Sequence, residues 1–431
     1  MDSYENSREG GWNRGRSEAW RGTARGGRSV ARGQTRGWRG RGPHHGISTR
    51  TSPAQPTAPP QPLGSVVDSI DANALLVELD APKIEDVRYV ASYNWVNGKD
   101  PVILIPGSPP AWTPPAQDMK LRGDSGDVFR DINSARYSTY PMEPTIRSVL
   151  AMQPNFELES LDIVACGSTI GNLLRCAGAQ PRAFRFDVNL VGDTVFFIRR
   201  ETSPTEIIAD LHGYGHTFPE AYTTWDAEVR NSCSHQRIIQ YEFGGLQVLI
   251  RTETDGYLKS ATPKAASGFE AGNEGLSLED TLDGIAVGTQ KPSHAGELKI
   301  KMAGNLVPQG RIFDIKTRAS YRPYNMEEIL PRLWANQTSN FLIAYHNSGL
   351  FDKPAVASVM QDVLKWQNAN SSLLARFHAL IRRIVDAVRD TDQQQFEVSW
   401  DGEGPLCITK QIGEGRMALP SDLLTLWDSS E

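Results

Sequence analysis

Alternating hydrophobic and polar positions predict two β-hairpins in the middle of the chain. In residues 184–198, apolar side chains alternate with polar ones on both sides of a Gly-Asp turn. The pattern returns in residues 237–255, where a Gly-Gly turn separates the two runs. A period of two places every second side chain on one face of a strand, and glycine-containing turns of two residues join such strands into hairpins.

Further segments predict strands on either side of these hairpins and helices near the C-terminus. Residues 102–105 are continuously apolar, and apolar side chains alternate with polar ones in residues 298–302 and 311–317. Residues 373–390 repeat apolar positions at helical spacing and predict a long amphipathic helix. Residues 327–345 have helical composition, although Pro331 has to lie in the first turn or divide the helix.

The order of these elements predicts an α+β fold, a mixed β-sheet flanked by helices, over residues 63–431. Residues 259–296 are polar and aperiodic, and we expect them to form a mobile insertion in this domain. No apolar run approaches the length of a membrane span. The four cysteines include no Cys-x-x-Cys pair, which argues against a disulfide framework or a zinc site of that type.

The N-terminal segment, residues 1–62, differs from the rest in composition. It contains 11 Arg, no Lys and 4 acidic residues, a formal charge of +7, whereas the remainder carries −13. Arg-Gly dipeptides begin at Arg14, Arg21, Arg25, Arg32, Arg36, Arg39 and Arg41, and a Pro-rich stretch follows at residues 51–62. This composition predicts a disordered RGG-type arm that binds RNA. The alternative is a solubilising tail with no selective ligand.

Two short acidic motifs follow the predicted strands. Glu253 and Asp255 lie two residues apart and therefore share one face of a strand, as do Asp314 and Lys316. Neighbouring carboxylates suit Mg²⁺ or Mn²⁺, and an adjacent lysine can hold a phosphate. This layout is typical of the restriction-endonuclease-like (PD-(D/E)XK) nuclease core. The alternative is that both motifs are solvated polar faces of edge strands.

Five motifs in order, between about Leu161 and Ile412, resemble a known family. They are residues 182–198, residues 213–220, Glu253-Thr-Asp255, Asp314-Ile-Lys316 and residues 333–342. Their order is similar to that in the eukaryotic decapping nucleases of RNA quality control (DXO-like), the family of the activating partner of the nuclear 5′→3′ exoribonuclease. The resemblance implies that the chain is a divergent member of that family.

The resemblance also implies a site and a function. Metal ligands would be Glu220, Glu253, Asp255 and Asp314, while Lys316 and either Asn336 or Gln337 would face the scissile phosphate. The expected activity is divalent-metal-dependent hydrolysis at the 5′ end of RNA, with Mg²⁺ or Mn²⁺ and no small-molecule cofactor. A 5′→3′ exoribonuclease is an expected partner, and the nucleus is the expected location, with the cytoplasm as the alternative. No membrane association is expected.

A second function remains open, that of an RNA-binding or scaffold protein that retains the fold without turnover. Residues 162–174 lack the arginine that this family carries in the corresponding stretch, and Pro219 precedes Glu220 where the family has a hydrophobic residue. These departures favour the scaffold, whereas the intact Glu-x-Asp and Asp-x-Lys motifs favour the enzyme.

Overall fold

The structure, a computed structural model, describes residues 62–79, 81–126, 128–208, 212–259 and 296–427. All of these residues belong to one structural unit, residues 54–431. The Arg-Gly tail and nearly all of the polar insertion lie outside the described residues, so the expectations about them remain predictions.

The described residues form strands throughout the length of the unit. The strands are β1 (Val66–Ile70), β2 (Ile84–Val96), β3 (Val102–Pro106), β4 (Ala111–Trp112), β5 (Val128–Phe129), β6 (Ile163–Cys166), β7 (Phe184–Val191), β8 (Thr194–Arg199), β9 (Ile207–Ile208), β10 (Thr223–Thr224), β11 (Ser232–Phe243), β12 (Leu246–Glu253), β13 (Gly256–Tyr257), β14 (Lys299–Ala303), β15 (Ile312–Ala319), β16 (Asn340–Asn347), β17 (Leu350–Phe351), β18 (Ala357–Ser358), β19 (Gln395–Trp400) and β20 (Leu406–Lys410).

Helices cover both faces of the larger sheet. They are α1 (Ile132–Arg136), α2 (Glu143–Met152), α3 (Gly167–Ala177), α4 (Thr217–Tyr222), α5 (Leu330–Ala335), α6 (Met360–Ala369), α7 (Ser371–Arg389) and α8 (Ser421–Leu424). None of these described helices combines the length and the apolar character needed to cross a membrane.

Two mixed sheets contain all of the described strands except β5 and β9, which pair with each other. The larger sheet has the order β1-β20-β19-β7-β8-β6-β12-β11-β2-β3-β14. The smaller one has the order β10-β4-β13-β15-β16-β17, with β18 also paired to β16. Parallel pairs such as β12 with β6 and β15 with β16 occur among antiparallel ones. The predicted α+β fold with a mixed sheet flanked by helices is therefore confirmed.

The larger sheet lies between two hydrophobic layers. On one face, α3, α5, α6 and α7 pack against apolar side chains of β7, β8, β11 and β12. On the other face, α2 and α8 pack against β2, β3 and the opposite side chains of β8, β11 and β12. A third and smaller core joins α4 to β16 and β17. Because β12 is covered on both faces, its end has a fixed position, and the acidic motif begins at that end.

Both predicted hairpins are confirmed. β7 pairs antiparallel with β8, and β11 pairs antiparallel with β12. The turns adopt positive φ at Gly192 (53°), Gly244 (58°) and Gly245 (86°), a conformation that glycine reaches at little cost. The predicted long helix is α7, displaced by two residues at its start and one at its end.

The helix predicted over residues 327–345 is wrong for most of its length. Only Leu330–Ala335 forms an α-helix, with Pro331 in its first turn. Gln337 adopts a positive φ of 51°, which ends the helical path. From Asn340 the chain becomes β16, because Phe341, Leu342 and Ala344 bury their side chains while the backbone pairs with β15. Tertiary pairing overrides a helical composition here.

Candidate functional site

A cleft of about 1980 Å³ opens beside the end of β12. Among the described residues that line it are twelve Arg and Lys side chains and nine Asp and Glu side chains. The start of α3, the end of β12 and the exposed edge of β15 all contribute to its wall. A cleft with excess positive charge and carboxylates at its floor suits a ligand that is an anion along most of its length.

Asp255 connects the two sheets at the floor of this cleft. β12 ends at Glu253, Thr254 is buried, and Asp255 directly precedes β13 of the smaller sheet. The Asp255 Oδ2 atom accepts a hydrogen bond of 2.6 Å from the backbone N–H of Ile315 in β15. Glu253 and Asp255 both line the cleft, but the prediction that they share one strand is wrong, because Asp255 lies between β12 and β13. The two acidic motifs are therefore brought together by the fold.

Asp314 lies beneath this surface. Its side chain is 1% exposed, and its Oδ2 atom accepts a hydrogen bond of 2.6 Å from Arg332 Nη2. Its buried Oδ1 atom has no hydrogen-bond partner among the described residues. Arg332, on α5, lines the cleft, with half of its side chain exposed. The guanidinium thus lies between Asp314 and the open space.

The carboxylates at the floor lie close enough to perturb one another. Desolvation by the surrounding protein, together with the charge of Asp314, raises the pKa of Asp255 to about 7, and Arg332 partly opposes this rise. The pKa of Glu253 is also raised, first by desolvation and then by Asp131 and Asp314. Glu253 is exposed to the cleft, so the protein atoms that surround the cleft are what desolvate its carboxylate. The floor has a deficit of positive charge that a cation would relieve.

The remaining site residues predicted from the sequence occupy different places. Lys316 is exposed and lines the cleft, two residues beyond Asp314 on β15. Asn336 is buried and also lines the cleft. Gln337 turns its side-chain amide back to the carbonyl of Trp334, at 2.5 Å, and does not contribute to the lining. Glu220 is exposed on α4 and is not among the described residues that line the cleft.

The start of α3 approaches Asn336 closely. A Cβ atom on Gly167 would lie 2.5 Å from Asn336 Oδ1 and 3.3 Å from Thr252 Cγ2, so a larger residue at this position would displace the Asn336 side chain. β6 runs parallel to β12 and ends at Cys166, which pairs with Arg251. This register brings the first residues of α3 to the same edge of the sheet as Glu253. The packing of Asn336 is therefore fixed by a glycine that sequence reasoning did not single out.

Comparison with protein families decides where the chain belongs. The family described as Domain of unknown function (DUF8563) matches residues 76–401. The chain belongs to this family. No curated protein matches it.

Solved structures give this DUF8563 chain a known fold. It matches S. pombe Rai1 in complex with 3′-FADP at a TM-score of 0.51 and 14% identity, covering 80% of this chain and 99% of the other. It matches Scheffersomyces stipitis Rai1 in complex with (3′-NADP)+ and calcium ion at 0.51 and 10%, covering 86% and 100%. It matches Candida albicans Rai1 in complex with pU5-Mn2+ at 0.50 and 9%, covering 85% and 98%.

These matches confirm the predicted resemblance at the level of the fold. The DUF8563 chain has the fold of Rai1 and is a divergent example of it, since the identities are 9 to 14%. Almost the whole length of each Rai1 chain is covered. The fold alone does not assign an activity, so the chemistry has to be argued from the cleft itself.

The donor set at the floor of the DUF8563 cleft has the chemistry of a site for a hard divalent cation. Carboxylate oxygens are the ligands that Mg²⁺ and Mn²⁺ prefer, and Asp314 Oδ1 is buried without a partner among the described residues. Within those residues, however, no three His, Cys, Asp or Glu side chains are grouped as metal ligands, and Arg332 holds the other Asp314 oxygen. By donor chemistry the carboxylates suit a divalent cation, and a cation at Asp314 Oδ2 would have to displace the Arg332 guanidinium.

Sequence reasoning missed Arg332 and two further arginines of the cleft. Arg175, in the last turn of α3, and Arg182, just before β7, line the cleft. Neither forms an ion pair with an acidic side chain among the described residues. Burial and the nearby charge of Arg182 lower the pKa of Arg175. In the sequence, only the position of Arg182 within the predicted hairpin motif pointed to one of these arginines. No pattern in the sequence predicted the contact between Arg332 and Asp314.

Proposed function

We propose that the chain binds the 5′ end of RNA in this cleft and hydrolyses a phosphate bond there, in RNA quality control. The observation that carries the proposal is the convergence of Glu253, Asp255 and Asp314 with Lys316 at the floor of a cation-rich cleft. Hydrolysis of a phosphate ester or anhydride needs charge stabilisation at phosphorus and a positioned water. Carboxylates beside a lysine can supply both roles.

Each residue of the floor has a distinct role in this proposal. Lys316 donates hydrogen bonds to a non-bridging phosphate oxygen and offsets the charge that develops on it. Asp255 lines the cleft, and its Oδ2 atom is held by the Ile315 N–H. A divalent cation held by Glu253, Asp255 and Asp314 would act as a Lewis acid on the scissile phosphate. Asn336 offers an amide at the wall, whose Oδ1 atom has no partner among the described residues.

The ligands of the matching structures support this choice of substrate. S. pombe Rai1 was solved with 3′-FADP, and Candida albicans Rai1 with pU5-Mn2+. These ligands carry nucleotide phosphates, and the second includes a divalent cation of the kind that the carboxylates suit. Glu220 lies on the exposed face of α4, so the proposal places the cation on the other three carboxylates.

The arginines of the cleft support an RNA path that leads away from the floor. Arg175 lies eight residues beyond the start of α3, about 12 Å along the helix axis. Arg182 lies near it, because its charge acts on Arg175. Two cations without acidic partners among the described residues suit the phosphates of following nucleotides. They offer charge in place of the arginine that residues 162–174 lack.

Hydrolysis of a short end-labelled RNA tests the proposal. RNAs with 5′-monophosphate, 5′-triphosphate and capped ends are incubated with the full chain in Mn²⁺, Mg²⁺ or EDTA. We expect metal-dependent product that falls at least about a hundredfold in Asp255→Ala and in Lys316→Ala. Asp352→Ala, which removes an exposed carboxylate outside the cleft lining, is the matched control and should retain the rate. Equal product from the wild type and Asp255→Ala would refute the proposal.

A second candidate function is RNA binding without turnover, and the Arg332–Asp314 contact favours it. A guanidinium that stayed on Asp314 would leave the cleft able to bind phosphate but without its third ligand. The same assay separates the two functions, because a scaffold retains the RNA in a filter-binding measurement while forming no product from any of the three ends. The proposed place of action is the nucleus, beside a 5′→3′ exoribonuclease that would consume the products.

A further inference from the structure

Arg332 is held differently from the other deeply placed arginines of the cleft. Arg251 donates hydrogen bonds to the carbonyl of Pro141, at 3.0 Å, and to Thr145, and it is 4% exposed. Arg332 forms one hydrogen bond within the described residues, to Asp314, and half of its side chain is exposed to the cleft. A side chain with one polar contact and open space beside it can leave that contact without unfolding its surroundings.

All three carboxylates of the floor act on this guanidinium. The charge of Asp314 raises the pKa of Arg332, and Asp255 and Glu253 add to that rise. Conversely, Arg332 opposes the rise in the pKa of both Asp255 and Glu253. The ion pair of 2.6 Å between Arg332 and Asp314 thus places a positive charge of the chain itself at the acidic floor.

The contact between the two side chains is one-sided. Arg332 reaches Asp314 with Nη2 and leaves the buried Asp314 Oδ1 without a partner among the described residues. A bidentate arginine would satisfy both oxygens. The buried carboxylate therefore retains one unused acceptor oxygen, while Arg332 occupies the other.

We propose that Arg332 and a divalent cation compete for Asp314, so that the guanidinium sets how tightly this site binds metal. The inference rests on the proposed function only in the choice of a divalent cation as the competitor. An RNA phosphate that accepts Arg332 would free Asp314, so RNA and metal would strengthen each other's binding. Arg332 is thus a positioning residue, since it acts through Asp314.

Titration with Mn²⁺ alone tests this competition without any catalytic readout. The full chain is titrated with MnCl₂ in a calorimeter, as wild type, Arg332→Gln, Arg332→Lys and Arg322→Gln. We expect Arg332→Gln to bind Mn²⁺ about tenfold more tightly than wild type, within the usual range of coupling between two ligands. Arg332→Lys keeps a cation near Asp314 and should remain near the wild-type affinity.

Arg322→Gln is the matched control. Arg322 also lines the cleft, and the same single charge is removed, but its guanidinium lies over the Tyr321 ring, and no contact with Asp314 is present among the described residues. Its Mn²⁺ affinity should change much less than tenfold. The double variant Arg332→Gln, Asp314→Asn should lose the gained affinity. Wild-type binding as tight as that of Arg332→Gln, or an equal gain in Arg322→Gln, overturns the inference.

Loss of the guanidinium leaves a buried carboxylate unpaired, so the folding of Arg332→Gln is followed by thermal unfolding with and without Mn²⁺. A variant that Mn²⁺ restores supports the competition, because the ion then takes the place of the guanidinium. A variant that Mn²⁺ neither binds nor stabilises overturns it. Tighter Mn²⁺ binding without hydrolysis of any RNA would leave this inference standing and refute the proposed hydrolase.

Discussion

At the scale of a single residue, Asp255 has two opposing effects on stability: its hydrogen bond stabilises the fold, and its buried charge destabilises it. Its carboxylate accepts the Ile315 N–H at 2.6 Å and so connects the two sheets. The same group is desolvated and lies near Asp314, which raises its pKa to about 7. An acid whose pKa is higher in the folded than in the unfolded state stabilises the fold most when it is protonated, and it loses that contribution as the pH rises towards the folded value.

We therefore expect Asp255→Asn to stabilise the metal-free protein at high pH. The asparagine oxygen can still accept the Ile315 N–H while the repelling charge is removed. In EDTA, the melting temperature of the variant should exceed that of the wild type by about 2 °C at about pH 8, and the difference should vanish near about pH 4. Thermal unfolding across this pH range is the measurement. Asp352→Asn, outside the cleft lining, should show no such trend, and a variant less stable at high pH would contradict the prediction.

At the scale of elements, the short helix α4 depends on a residue far from it in sequence. Asp124 accepts hydrogen bonds from the backbone N–H of Thr217, at 2.9 Å, and of His216, at 3.3 Å. These are amides at the start of α4, which its own N-cap side chain leaves unbonded. The helix packs Phe218 and Tyr222 against Phe351 of β17. Asp124 thus fixes the start of a helix whose aromatic side chains pack against the smaller sheet.

Asp124→Ala should destabilise the protein by about 1 kcal/mol, the usual effect of losing a helix-capping carboxylate. The expected loss in melting temperature is about 2 °C, measured by thermal unfolding at neutral pH. Asp118→Ala, in the same exposed segment and without these amide partners among the described residues, is the control. Equal melting temperatures for the wild type and Asp124→Ala would show that α4 forms without the cap.

The same scale shows what the sequence could predict. The alternation of apolar and polar residues located the two hairpins. A strand with one apolar and one polar face can pair in few registers, because a shift by one residue would expose its apolar face. The segment 327–345 was misread because its composition suits a helix while β15 offers a partner for strand pairing. Strand geometry correctly placed Asp314 and Lys316 on β15, whereas Asp255 lies beyond the end of β12 and reaches the site because the chain passes there into the smaller sheet. The approach of Arg332 to Asp314 could not be found, since it depends on how α5 is placed against β15.

At the scale of the whole molecule, positive charge is concentrated at the cleft and in the N-terminal tail. The chain carries −6 overall, yet Arg and Lys outnumber Asp and Glu in the cleft lining, and residues 1–62 carry +7. An RNA that contacts both regions would release counterions at both. The affinity for RNA and its dependence on salt should then each contain one contribution from the cleft and one from the tail.

Deletion of residues 1–62 should lower RNA affinity and flatten its dependence on salt. For single-stranded RNA, the slope of log affinity against log salt changes by about 0.7 for each phosphate released from contact. Filter binding of one 5′-phosphorylated RNA at several salt concentrations measures both slopes. The deleted chain should keep a negative slope from the cleft alone. Identical slopes for the two chains would show that the tail contributes no phosphate contact.

The hydrogen bond from Ile315 to Asp255 also bears on how this family can diverge over time. A lineage that lost hydrolysis would still need an acceptor oxygen, from Asp or Asn, at position 255, because the backbone N–H of β15 depends on it. Lys316 and Glu253, both exposed to the cleft, have no such structural role and would vary once activity ceased. Descendants that retain all three residues would record selection on the reaction, whereas retention of Asp or Asn at position 255 alone would record selection on the scaffold.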